Sequence, residues 1–163
     1  MNLSPSALDP QGYIIDQRKT HNIFFGGTSS DKNGCGWIAA YNFLKAMDRE
    51  PDPEAVLRQL EKSLLGDGRL GLNFFALAWY LRQFPLDTAV RPFHAQQITE
   101  TCRAGIILYR AGKRNHFAAF RREENGRLRF YGAIAGKPHH DISMAEFYWN
   151  HVKFPLALTI TAK

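Results

Sequence analysis

The chain has only two cysteines in 163 residues, Cys35 and Cys102, too few for a disulfide framework, and nothing in the sequence forces them together. A reducing compartment is the simpler expectation. Long apolar runs are missing too. The opening stretch MNLSPSALDPQGYIIDQRKT lacks the basic segment and apolar core of a secretory signal. No membrane span is expected, and the expected location is cytoplasmic. No Pro, Gly or Ser tract, block of like charge or repeat period breaks the sequence, which argues against linkers and solenoids. The spacings H-E-x-x-H and Cys-x-x-Cys do not occur. His139 and His140 are adjacent, so on a strand they would face opposite ways, and a closed zinc site would need two further ligands. The expectation is therefore no metal and no cofactor.

What is present suits one folded domain over residues 1–163. Hydrophobic residues make up 45% and aromatics 13%, enough to bury a core. The net charge of +6 favours acidic partners through long-range attraction. The cations are scattered or paired, as in Lys113 and Arg114, Arg121 and Arg122, and Arg127 and Arg129, and make no continuous stripe with interleaved aromatics. This distribution argues against nucleic acid as the partner. Oligomeric state is not encoded in any pattern of the sequence.

Helical spacing comes first along the chain. FFGGTSSDKNG, from Phe24 to Gly34, is dense in turn formers and reads as a loop. A helix follows through Trp37, Ile38, Ala40, Tyr41 and Leu44 and stops before Pro51; a second, amphipathic one starts near Pro53. The stretch NFFALAWYLRQF, 73–84, predicts a third helix capped by Asn73 and apolar around its whole circumference, hence buried together with its aromatics Phe74, Phe75, Trp79, Tyr80 and Phe84. After Pro85 the pattern changes to strands in LDTAVRPF, GIILYR, HFAAFRR, RLRFYGAI and PLALTITA. A short helix over 141–150 lies between the last two, with Asp141 as cap and Ile142, Ala145 and Phe147 or Tyr148 facing inward. Asn125-Gly126 favours a two-residue hairpin turn that would set Phe120 opposite Tyr131; a three-residue loop would instead turn Gly132 to the face of His116. Helices followed by an antiparallel sheet predict an α+β fold.

The chemistry centres on NGCGWIAAYNFL, 33–44. A helix start stabilises a thiolate through its unpaired N–H groups and its dipole, and Cys35 is placed there. Gly34 and Gly36 would leave room for an approaching carbonyl, and the Cys35 N–H could donate to an oxyanion. A thiol nucleophile also needs a base, usually a histidine distant in sequence. Of six histidines, His116 stands apart because it opens an apolar strand behind the polar loop AGKRN. Cys102, beside Arg103 and ahead of GIILY, reads as structural.

FFGGTSSDKNGCGWIAAYNFL resembles the nucleophile segment of papain-like cysteine peptidases, especially the bacterial branch of double-glycine leader peptidases that process bacteriocins. NHFAAFRREENGRLRFYGAI is similar to that branch's histidine strand and the strand after it. Together the two segments span about a quarter of the 163 residues. The resemblance implies a nucleophile helix packed on an antiparallel sheet, with Cys35 as nucleophile and His116 as general base and acid. It also implies an Asn or Asp on the strand after the histidine to orient the ring, where Gly132 stands here, and a Gln shortly before the cysteine, where Ser29 stands with Asn33 as the nearest amide. His139, Asp141 or a backbone carbonyl are the available substitutes for the orienting group.

The leading expectation is a thiol hydrolase of peptide or isopeptide bonds acting on a peptide or protein substrate, with deamidation or transamidation open to the same machinery. Lys113, Arg114, Arg121 and Arg122 near His116 favour an acidic substrate. The alternative, drawn from Gly132 and the absent Gln, is an impaired papain-like fold that serves as a binding module.

Overall fold

The computed structural model describes residues 1–68, 70–92, 102–112, 114–132, 141–151 and 158–163. An N-terminal arm with two 3-10 turns, Pro5–Ala7 and Gln17–Thr20, leads into a small hairpin of β1 (Phe24–Phe25) and β2 (Thr28–Ser29). One helical turn, α1 (Ser30–Asn33), then runs into α2 (Cys35–Ala46). The segment 24–34 is thus not a plain loop: Gly26, at a φ of 64°, closes the hairpin, and the polar residues after it wind the approach to α2. Next come α3 (Pro53–Glu61), the hairpin β3 (Leu64–Leu65) and β4 (Gly71–Leu72), and α4 (Phe74–Leu81). Asp52 caps α3, and Asn73 caps α4 by accepting from the Phe75 and Ala76 amides.

The second half builds a single antiparallel sheet from β5 (Thr88–Pro92), β6 (Ala104–Ala111), β7 (Arg114–Arg122), β8 (Leu128–Tyr131), β9 (Asp141–Ile142) and β10 (Leu158–Ala162). Their order is β5-β10-β6-β7-β8-β9. Side chains alternate across β6 and β7. Ile106, Phe117 and Ala119 join the core under the helices, while Ile107, Tyr109, Ala118 and Phe120 face Met144 and Phe147 of α5 (Met144–His151) on the other side. The fold is α+β, with the sheet between two apolar layers.

One expectation about burial is corrected. α2 is buried on every side from Gly36 to Leu44, whereas α4 is not. Phe74, Leu77, Ala78 and Leu81 pack inward at helical spacing, but Phe75 and Trp79 are 69% and 68% exposed. An apolar circumference does not place a helix at the centre; α2 already fills the position against β7, leaving α4 one packed face. Trp149 of α5 is also exposed.

Two local readings change as well. α5 is capped by Ser143, whose hydroxyl accepts from the Glu146 amide at 3.1 Å while Glu146 accepts from the Ser143 amide at 2.6 Å; this is a capping box. Asp141 lies in β9, and Ala145 is exposed. The hairpin after β7 takes the longer connection. Phe120 pairs with Phe130 and Ala119 with Tyr131, one residue off the two-residue register. A type I′ turn needs a positive φ at both central residues, but among the described residues only Gly126 of this pair has one, at 79°. Asn125 uses its side chain to accept from the Arg127 amide, and the extra residue is absorbed as a bulge.

Candidate active site

Cys35 is the first residue of α2 and half-buried; His116 is the third of β7. The N-terminus of α2 crosses β7 at this point, because α2 lies along that strand through the shared core of Trp37, Ala39 and Phe43 with Phe117 and Ala119. Phe117, next to the histidine, stacks parallel on Phe74 of α4 at 6.4 Å between ring centres. The two flanking glycines serve packing, not substrate access. A side chain at Gly36 would meet Leu72 at 2.7 Å, and one at Gly34 would meet the Ser30 carbonyl at 2.5 Å and the Trp37 indole at 2.9 Å. The expected space for an approaching carbonyl is already filled by β4 and α1.

The ring of His116 is held from two sides. Its Nε2 lies 2.6 Å from the carbonyl oxygen of Gly132, and Tyr109 sets its ring edge-on at 5.6 Å. A carbonyl can only accept, so Nε2 carries the proton and Nδ1 is left for Cys35. Gly132 follows β8 with a φ of 75°, a conformation open to glycine. The three-residue hairpin loop is what brings it beside the histidine strand.

Burial by itself would push the Cys35 thiol up, but the hydrogen bond and charge of His116, with the Phe117 and Gly36 amides, bring it below its ordinary value. His116 shows the converse. Burial pulls it down, while the hydrogen bond and charge of Cys35 and the Gly132 carbonyl raise it above the ordinary imidazole value. Both shifts have one cause, each group favouring the charged form of the other. Tyr109 is pushed well above the usual phenol range by burial and by the charge at Cys35, so it stays neutral there.

Cys35, His116 and Gly132 line a cleft of about 320 Å³, with Gln17 and Arg18 from the arm, Lys32 from α1 and Arg114 from β7 also on its walls. Asn33 and Ser29 lie elsewhere. The Asn33 amide is buried and donates to the carbonyls of Phe25 (2.9 Å) and Gly68 (3.4 Å), tying β1 and the β3–β4 connection to the helix start. The Ser29 hydroxyl engages the His21 carbonyl and the Asp31 carboxylate. Gln17 was not singled out by sequence, and no local periodicity marks it; its Nε2 donates to the Ser30 and Asp31 carbonyls at 2.8 and 3.2 Å. Both its donors are spent on α1. Cys102 is buried under α5, its thiol pushed up by burial. His139, His140 and Lys113 lie outside the described residues, among which no cluster of His, Cys, Asp or Glu could hold a metal. No helix among the described residues is long and apolar enough to cross a membrane.

No family model and no curated protein sequence matches the chain. Solved structures do. One is a double glycine motif protease from an AMS/PCAT transporter in complex with the leader peptide, 17% identical, with a TM-score of 0.53 over 79% of this chain and 84% of that one. Another is the peptidase domain of Streptococcus ComA, a bifunctional ABC transporter of a quorum-sensing pathway, 16% identical, with a TM-score of 0.57 over 81% of this chain and 93% of that one. At these identities the likeness establishes architecture, and the chain shares the papain-like α+β fold of double-glycine leader peptidase domains.

Proposed function

We propose that the chain is a cysteine-dependent hydrolase of peptide or isopeptide bonds. The observation that carries this reading is that Cys35, at the start of a buried helix, shares one cleft with a His116 ring fixed by the Gly132 carbonyl at 2.6 Å, and that the histidine lowers the thiol.

In the proposed reaction the Cys35 thiolate attacks the carbonyl carbon, and the π electrons move to the oxygen, which the Cys35 N–H is placed to receive. His116 passes its Nδ1 proton to the departing amine as the C–N bond breaks, leaving a thioester on Sγ. Water then attacks with neutral His116 taking its proton, the C–S bond breaks, and the thiolate–imidazolium pair is restored. Gly132 acts through the ring by holding the tautomer, as an Asn or Asp would, but with a neutral acceptor. The substrate class is a peptide, in keeping with the leader peptide bound by the AMS/PCAT protease.

The test is the pH dependence of Cys35 alkylation by iodoacetamide, with peptide mapping to separate it from Cys102. Rapid labelling at mildly acidic pH, lost in His116→Ala, is the expected result. Labelling that rises only near the ordinary thiol pKa of about 8.5 and ignores the histidine would sink the proposal and leave the binding module.

A further inference from the structure

The cleft around Cys35 is bordered by cations on both banks. Lys32 stands three residues before Cys35, and Gly34 between them keeps right-handed helical angles, so the two share a helix face. Arg114 stands two residues before His116 on β7, so they share a face of the strand. Both cations are exposed and both line the cleft.

Two further charges on these walls compensate one another. Arg18 makes a two-pronged ion pair with Asp16, both contacts at 3.0 Å, and the guanidinium holds that carboxyl below its usual range. Asp31 also lines the cleft and accepts from the Ser29 hydroxyl, which leaves its negative charge in place. Among the described residues, no acid forms an ion pair with Lys32 or Arg114. Lys32 and Arg114 together outweigh the one carboxylate, so the cleft keeps a positive excess, with one cation beside the nucleophile and one beside the base.

We infer that Lys32 and Arg114 select substrates with an Asp or Glu side chain within a residue or two of the scissile bond, gripping that carboxylate from the two sides of the cleft. This inference rests on the hydrolase reading and adds the substrate's chemistry to it. Lysine and arginine both reach several ångströms past the backbone, and among the described residues neither has an ion pair to give up on binding a carboxylate. Their pull is that of solvent-exposed charges, so it weakens with salt.

Two reagents of nearly equal size read this directly. Iodoacetate and iodoacetamide attack the same thiolate and differ by one charge. The ratio of their rates at Cys35, divided by the same ratio for glutathione, removes thiol reactivity from the comparison. The expected ratio at low salt is about threefold to tenfold above glutathione's, falling toward it in Lys32→Gln/Arg114→Gln and in about 0.5 M NaCl, and inverting in Lys32→Glu/Arg114→Glu. A second arm measures hemithioacetal formation by acetyl-Glu-Gly-glycinal against acetyl-Gln-Gly-glycinal, with the Glu aldehyde favoured in the native protein and the preference gone in the double Gln variant. An iodoacetate ratio that is raised but unchanged by the double variant assigns the effect to His116 alone and overturns the inference. So does a ratio equal to glutathione's. In either case rapid iodoacetamide labelling at acidic pH would leave the hydrolase reading standing. Slow iodoacetamide labelling removes that reading, and the selectivity built on it falls too.

Discussion

His116 is oriented by an atom that no side-chain pattern encodes. The Gly132 carbonyl depends on a φ of 75°, and there is open space where a side chain would start. Gly132→Ala should therefore cost backbone strain of about 1–2 kcal/mol, and the strain is relieved by moving the carbonyl. Gly126 offers a matched control: its φ is 79°, its surroundings are equally open, and it sits at the far end of the hairpin. Gly132→Ala should slow Cys35 alkylation at pH 6 severalfold, while Gly126→Ala lowers stability by a similar amount and leaves labelling alone. Equal labelling in the two variants would mean that the carbonyl does not position the ring. Cys35 and His116 stand out in the sequence because a glycine-flanked thiol and a strand-opening histidine are unusual local settings. Gly132 and a backbone carbonyl were among the orienting candidates, but the choice depends on whether a hairpin loop holds two residues or three, and Asn125-Gly126 suits both.

Among the elements, α2 organises the site. Its Asn42 is completely buried, accepting from the Ile14 amide and donating to the Ile14 carbonyl, each at 2.8 Å, and Tyr41 donates to the Gly12 carbonyl at 3.0 Å. These bonds fasten the arm that brings Gln17 and Arg18 to the cleft. Asn42→Ala leaves two buried backbone groups unpaired and should cost about 2–4 kcal/mol in denaturant unfolding, against about 1 kcal/mol for removing the half-buried cap in Asn73→Ala. Comparable losses would show that the arm carries little of the fold's stability. The helical periodicities gave the right elements but not their burial. NFFALAWYLRQF looks buried all round yet exposes Phe75 and Trp79, because spacing reports which residues share a face without reporting what covers it.

At the scale of the molecule, the change from helical to alternating pattern near Pro85 was enough to predict an α+β fold, since the helices of the first half pack as a layer on the sheet built by the second. Strand order was not legible; β10 inserts between β5 and β6, a pairing between residues far apart in sequence. The dyad also leaves a mark on global stability. The lowered Cys35 value makes stability rise with pH from that folded value up to about 8.5, where the unfolded thiol ionises; the raised His116 value makes stability fall with pH from about 6.5 up to the folded value. The opposing slopes cancel where they overlap. The placement of the three tryptophans has an optical consequence. Trp37 is sealed two residues beyond Cys35, its indole N–H donating to the Ser30 hydroxyl at 3.1 Å, whereas Trp79 and Trp149 are 68% and 90% exposed. A water-soluble collisional quencher silences the outer pair first. The fluorescence that survives comes from the helix start beneath the thiol, so the protein carries its own label where acyl transfer would occur.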